Sequence, residues 1–120
     1  MTNLLFTTPL AGLDQLRNYT LTPIDGATGV YALESTDRPE IRFHVLDAAV
    51  HAPTYKPTFD GYDESKHTVL LIVTPRNGGL TANLLAPVVL NVQHYTAEQV
   101  ILDDPNRYPL QAPVAELVAA

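Results

Sequence analysis

The chain contains no cysteine. Without thiols it can form neither a disulfide framework nor a thiolate zinc site, and it has no cysteine nucleophile. It also lacks any apolar run of the roughly 18 residues that a membrane-spanning helix needs. The opening segment has no basic start and carries Pro9, which is not the pattern of a secretory signal. We therefore expect a cytoplasmic protein with no membrane partner.

Basic residues are scarce. The 120 residues include 7 Lys and Arg against 13 Asp and Glu, which gives a net charge of −6. Because nucleic-acid-binding proteins concentrate Lys and Arg, direct contact with DNA or RNA is disfavoured. A negative surface favours encounters with basic proteins, and RNA-binding proteins are one such class. Solubility alone explains the acidic balance at least as well.

Motifs of known catalytic or metal-binding chemistry are also missing. The histidines show no HxH or HExxH spacing and are dispersed along the chain, at His44, His51, His67 and His94. Neither serine, Ser35 or Ser65, lies in a GxSxG turn. Asp103 and Asp104 are adjacent and precede a turn sequence, so they are better explained as turn and capping residues than as a catalytic pair. We predict no catalytic residue, no metal site and no cofactor.

Short apolar segments separated by turn residues are typical of an all-β protein. The predicted strands are 4–7, 20–23, 30–33, 41–47, 68–74, 88–95 and 99–103. Ten prolines and six glycines disfavour long helices, and only 11–19 and 112–120 have patterns that allow a turn or two of helix. We expect one domain, 1–120, built as a small antiparallel β-barrel or two-sheet pseudobarrel with at most one or two short helices.

Two segments predict how strands are buried. In "IRFHVLD" the side chains of Ile41, Phe43 and Val45 share one face and those of Arg42, His44 and Leu46 the other, as in a half-buried strand. In "TVLLIVT" the apolar run does not alternate, which suits a central strand covered on both faces or a short buried helix. The β-branched residues and the following "TP" favour the strand. Beyond Pro87, the spacing of Val88, Leu90 and Val92 predicts that these three share an inward face.

The segment "LTANLLAPVVLNVQ", followed by "QVILDDPNRYPLQAP", resembles the flagellar assembly factor FliW family. Weaker likeness extends over "AGLDQLRNYTLTPID", "YALESTDRPEIRFHVLD" and "TYKPTFD", and so covers nearly the whole chain. The matching motif residues, which we expect to have mainly structural roles, are Thr81, Ala82, Asn83, Leu84, Ala86, Pro87, Asn91, Gln99 and Tyr108. The chain departs from the family pattern at Leu13, Asp14 and Glu34, and two of its connecting loops are short.

The resemblance implies a non-enzymatic protein that binds flagellin and also binds CsrA, the RNA-binding translational repressor. Flagellin leaving the factor would free it to relieve repression, so the two partners would exchange on one regulator. Two alternatives stay open: a chaperone for flagellin alone, and a small β-barrel ligand-binding protein or enzyme.

Candidate partner-binding residues follow from charge and motif. An acidic face for the basic repressor is predicted in the middle loops, from Asp37, Glu40, Asp60, Asp63 and Glu64. Asn83 and Asn91 are secondary candidates, since their amides can either brace the backbone or contact a partner.

Overall fold

A computed structural model describes residues 2–57, 59, 61–76 and 78–117 of the chain. The strands are β1 (Thr2–Thr8), β2 (Asn18–Pro23), β3 (Val30–Ser35), β4 (Arg42–Asp47), β5 (His67–Arg76), β6 (Gly79–Ala82), β7 (Val88–Asn91), β8 (Thr96–Gln99) and β9 (Ala112–Pro113). Two one-turn helices complete the described elements, α1 (Ala48–His51) and α2 (Val114–Leu117). The expected all-β architecture with short helices is confirmed.

Seven strands close into a barrel in the order β4-β3-β2-β1-β8-β7-β5, and pairing of β5 with β4 completes the circle. The β1–β8 pair is parallel, so the barrel is not purely antiparallel. β5 is long enough to hold two partners on one edge. Its first half pairs with β7 and its second half with β6, and β6 in turn pairs with the two-residue β9.

The continuous apolar segment behaves as predicted, whereas the alternating one is buried on both faces near its end, since Leu46 is 4% exposed. Val45 is fully buried in the barrel interior, with Ile41 and Phe43 packed against the same cluster. In β5, Leu70 faces this interior while Leu71 belongs to a second apolar cluster outside the barrel. β5 is therefore covered on both faces because helices and loops pack against its outer side.

The second apolar cluster joins distant parts of the chain. It contains Ala48 and Ala52 from the region of α1, Leu84 from the segment between β6 and β7, and Ala112 from β9. Val114 and Leu117 of α2 pack against it. The C-terminal residues of the described chain are thus held against the outside of the barrel by apolar burial.

Several predicted boundaries were wrong. The strand predicted over 88–95 ends at Asn91, and 92–95 form a tight turn. The strand predicted over 99–103 is an irregular segment apart from Gln99, which ends β8. The segment 11–19 contains turns and the start of β2 instead of a helix. The turn or two of helix that the pattern allowed within 112–120 is present as α2, and 118–120 lie outside the described residues.

Val92 does not share the inward face of β7. Val88 and Leu90 are buried in the barrel core as predicted, but Val92 is 45% exposed because the chain has already turned away from the strand. Val89 is also buried, at 3% exposure, so β7 has cover on both faces.

Over the described part of the chain, no helix is long and apolar enough to cross a membrane.

Candidate functional site

The segment between β6 and β7 is organised by one amide side chain. Asn83 Oδ1 accepts hydrogen bonds from the backbone N–H groups of Leu85, at 3.1 Å, and Ala86, at 3.0 Å. This is the local side-chain-to-backbone bonding that lets asparagine stabilise a turn. The chain can therefore leave β6, form a compact turn and enter β7 without leaving those two N–H groups unpaired.

Groups from three other segments bind the backbone of the same turn. Leu84 donates its N–H to the Pro109 carbonyl at 3.0 Å, and its own carbonyl accepts from the Tyr55 hydroxyl at 2.7 Å. The Leu85 carbonyl accepts from Leu102 N–H at 2.7 Å, and the Pro87 carbonyl from Val100 N–H at 3.0 Å. The turn thus ties the C-terminal segment to the barrel.

The remaining motif residues surround this turn. Gln99 donates from Nε2 to the Ala86 carbonyl at 3.2 Å and accepts from Ala11 N–H at 2.8 Å through Oε1. Ala82 is fully buried in the second apolar cluster, which we call the outer cluster. Thr81 Oγ1 donates to the Thr74 carbonyl at 3.4 Å. Tyr108 packs edge-on against the Tyr55 ring, with 5.8 Å between ring centroids.

Asn91 organises a second turn in the same way. Its Oδ1 accepts from Gln93 N–H at 2.9 Å and from His94 N–H at 3.1 Å. The turn ends at Tyr95, which has a φ of +55° although it is not glycine. Its backbone is fixed on both sides, since Tyr95 N–H donates to the Asn91 carbonyl and the Tyr95 carbonyl accepts from Leu5 N–H.

The acidic candidates fall into two groups that the fold separates. Asp37 and Glu40 lie in the loop before β4, whereas Asp63 and Glu64 lie just before β5. Since β5 runs antiparallel to β4 and pairs Leu70 with Asp47, the two loops lie at opposite ends of β4. The described acidic residues thus do not form one continuous face. Asp60 lies outside the described residues.

Local contacts already satisfy part of this charge. Arg38 Nη2 lies 2.9 Å from Glu40 Oε2, and the pKa of Glu40 is lowered, first by its own backbone N–H and then by the Arg38 side chain. Asp63 Oδ1 accepts from the Ser65 hydroxyl at 2.6 Å and from Ser65 N–H at 2.9 Å. These bonds, the hydroxyl foremost, lower the pKa of Asp63.

Beside Glu64 the structure forms a groove that sequence reasoning did not identify. The groove has a volume of about 540 Å³ and lies between α1 with the segment that follows it and the residues that lead into β5. Ala48, Ala52 and Val69 of the outer cluster line it, and Tyr55 and Tyr62 form aromatic walls. Its lining comes from separate segments that only the folded chain brings together, so no short motif marks it.

The aromatic wall at Tyr62 is closely packed. The Tyr62 ring stacks on His67, with centroids 6.0 Å apart and an interplanar angle of 22°. Asp63 N–H donates to His67 Nδ1 at 3.0 Å. Burial raises the pKa of Tyr62, and the carboxylates of Glu64 and then Asp63 raise it further. Negative charge at the rim of the groove thus disfavours ionisation of the Tyr62 hydroxyl.

The histidines and acids do not assemble a metal centre in the part of the chain that the structure describes, where no three or more such side chains are grouped. His51 Nε2 donates a hydrogen bond to the Thr28 carbonyl at 2.8 Å, because a carbonyl can only accept. This bond docks α1 on the β2–β3 turn and gives His51 a structural contact.

Fold and site together define a small closed β-barrel whose outer face carries a braced turn, a C-terminal segment and a groove. The family model for FliW protein matches residues 2–114. The chain belongs to the FliW family, as the motif resemblance indicated.

Two of the proteins that this chain resembles carry the name of the same family. The chain is 33% identical over 114 residues to the flagellar assembly factor FliW of Bdellovibrio bacteriovorus, with 86% of this chain and 65% of the relative covered. It is 31% identical over 96 residues to that of Caldanaerobacter subterraneus subsp. tengcongensis, covering 70% and 62%. The chain therefore spans less than two thirds of either relative's length.

A solved structure shares the fold. The crystal structure of the flagellar assembly factor FliW superposes with a TM-score of 0.83 at 24% identity, covering 93% of this chain and 84% of that one. At this identity the likeness concerns the fold, and it confirms the predicted barrel class.

Proposed function

We propose that this chain is a non-enzymatic flagellar assembly factor that acts by exchanging two protein partners, flagellin and the translational repressor CsrA. The observation that carries the proposal is the family match over residues 2–114. Relatives that cover most of their own length in the alignment, such as that of Exiguobacterium sp. with 86%, are also named flagellar assembly factors. The proposed site of action is the cytoplasm, where newly made flagellin would be bound.

The net charge of −6 supports a basic second partner. Acidic surface residues accelerate encounters with a basic protein and are screened by salt. Asp37 and Glu40 at one end of β4, and Asp63 and Glu64 at the other, are the proposed contributors. Binding through both groups would require a partner that reaches along the length of β4, because the two loops lie beyond its opposite ends.

A flagellin segment would bind differently. Terminal segments that are unfolded before assembly would bury apolar side chains on this surface, so their binding should depend less on salt than repressor binding does. Asn83 and Asn91 lie beside the barrel surface, but their amide oxygens are used by backbone N–H groups. Direct contacts from either residue would have to come from the amide nitrogen.

The decisive experiment titrates purified CsrA into the chain at increasing concentrations of flagellin. If the two partners exclude one another, the apparent affinity for CsrA falls as flagellin is added. Two distinct coupled sites give a plateau at about 5–150-fold, and the coupling must be equal in both directions. Direct overlap gives competition without a plateau.

Three other results would reject partner exchange. If both proteins bind together with unchanged affinities, the exchange mechanism fails. If flagellin binds and CsrA does not, the chain is a flagellin chaperone alone. Binding of neither protein would leave the family assignment in place and remove the proposed function.

A further inference from the structure

The groove beside α1 has an apolar floor made of small side chains. Ala52 is 1% exposed and Ala48 is 4% exposed, and both belong to the second apolar cluster. Val69, from β5, completes this floor. Because the floor residues are small, the space of about 540 Å³ suits a long side chain of a partner, with part of its backbone, better than a short one.

Charged groups stand at the edge of this floor. Asp47 and Glu64 contribute carboxylates, and Lys56 contributes one ammonium group. Asp47 Oδ1 accepts a hydrogen bond from Ala49 N–H at 3.0 Å, and this bond does not involve Oδ2. His67 accepts from Asp63 N–H through Nδ1 at 3.0 Å. Two carboxylates therefore face one ammonium group.

An arginine or lysine side chain matches both features. Its aliphatic stem can cover the alanine and valine floor while its charged head stays at the rim, as long basic side chains do at protein surfaces. A guanidinium can also form short charge-assisted bonds to the carboxylates. A purely apolar side chain would instead remove Asp47 and Glu64 from water without compensation.

We propose that this groove receives an arginine or lysine of the basic partner, with the stem on Ala48, Ala52 and Val69 and the head at Asp47 and Glu64. The inference rests on the proposed function, since the basic partner is the repressor. It also distinguishes the two acidic groups. Asp37 and Glu40 do not line this groove, and Glu40 already has Arg38 as a partner.

The test compares CsrA binding by calorimetry for two variants of the full chain. Glu64→Lys replaces an exposed rim carboxylate by a positive charge and should weaken binding at least about tenfold. Ala49→Leu, on the exposed side of α1 where it lines the groove, should weaken binding by a similar factor because it fills the space without changing charge. Leucine is also a good helix former, so α1 should persist.

Each variant has a matched control. Glu98→Lys makes the same charge change at an exposed position of β8 outside the groove, and Ala115→Leu makes the same enlargement at an exposed position of α2. Both should bind CsrA within about twofold of the unsubstituted chain. Thermal unfolding of all four variants shows whether they fold. If Glu64→Lys misfolds, Ala49→Leu still tests the groove, and the reverse also holds.

The outcomes separate this inference from the proposed function. If the unsubstituted chain binds CsrA and both groove variants bind it equally well, the groove assignment is wrong and partner exchange stands. If the groove variants lose flagellin and keep CsrA, the groove receives the other partner and the inference is also overturned. Failure of the unsubstituted chain to bind CsrA removes both.

Discussion

Asn83 Oδ1 lies 3.0 Å from the backbone nitrogen of Ala86, and accepts its hydrogen bond inside a turn that three other segments also contact. Replacing Asn83 by Ala removes this acceptor and leaves the N–H groups of Leu85 and Ala86 without it. We expect the free energy of unfolding to fall by about 1–3 kcal/mol, the cost of leaving such donors unpaired. Urea unfolding measures the change.

Asn83→Asp is the matched control because a carboxylate keeps the acceptor oxygen, and it should retain most of the stability. If Asn83→Ala is as stable as the unsubstituted chain but binds flagellin or CsrA poorly, the Asn83 side chain is a partner contact and its backbone bonds are dispensable.

Tyr19, which is buried, and Tyr55, which is half-buried, offer opposite tests of the role of a tyrosine hydroxyl. Tyr19 is fully buried against Phe6, and its hydroxyl has no hydrogen-bond partner within the described part of the chain. Tyr55 donates its hydroxyl to the Leu84 carbonyl at 2.7 Å. Tyr19→Phe should leave the free energy of unfolding unchanged or raise it by up to about 1 kcal/mol, whereas Tyr55→Phe should lower it by about 1–2 kcal/mol.

Both variants lose only an oxygen atom, so differences in packing are small. A loss of more than about 1 kcal/mol in Tyr19→Phe would show that its hydroxyl is satisfied in solution. Equal stability of Tyr55→Phe and the unsubstituted chain would show that the Leu84 carbonyl finds another donor.

The raised pKa of Tyr55 also predicts how the stability of the chain responds to alkaline pH. Burial, followed by the neighbouring Tyr108, raises the pKa of Tyr55 far above its ordinary value. The folded chain then holds the phenolic proton more tightly than the unfolded chain does. The contribution of this proton to the free energy of unfolding is fully present below the unfolded tyrosine pKa of about 10, and it is lost as the pH rises above that value. The melting temperature should therefore fall less between about pH 9 and 11 in Tyr55→Phe than in the unsubstituted chain; equal falls would contradict this.

The sequence predicts most of the barrel because apolar patterns are local. β4 and β5 follow from alternation and from a continuous apolar run, which depend on neighbouring residues alone. β6 was missed because "GLTA" has no strong strand pattern, and its conformation depends on pairing with β5 and β9. The turn at 92–95 was missed because no glycine or proline marks it; Asn91 and the positive φ of Tyr95 form it instead.

The candidate site residues also divide into those whose contacts are local in the sequence and those whose contacts depend on the fold. Asparagine chemistry suggested that Asn83 would bond to nearby backbone, since such bonds span two or three residues. The acidic residues were grouped by sequence position, but antiparallel pairing of β4 with β5 places the two loops at opposite ends. The groove was not predicted because Asp47, Tyr62 and Val69 meet only after β5 packs against α1 and the following segment.

Gly29 tests how α1 is docked. Its φ is +74°, and a β-carbon there would lie 3.0 Å from Val50 Cβ and 3.1 Å from His51 Nε2. Gly26, in the same turn, has a φ of +78° with no atom within 4 Å of such a carbon. Gly29→Ala should therefore cost more than Gly26→Ala, which carries only the left-handed backbone penalty of about 1–2 kcal/mol. Equal losses in urea unfolding would mean that α1 moves aside easily.

Leu90 and Val92 test the position at which β7 leaves the core. Leu90 is 8% exposed within the barrel cluster, whereas Val92 is 45% exposed in the following turn. Leu90→Ala should lower the free energy of unfolding by about 2–5 kcal/mol because it removes buried methyl groups and leaves a cavity. Val92→Ala should change it by less than about 0.5 kcal/mol, as expected of an exposed side chain. A stable Leu90→Ala variant that loses one partner would place Leu90 in an interface. A large loss of stability in Val92→Ala would return Val92 to the core, as the alternation along the sequence had predicted.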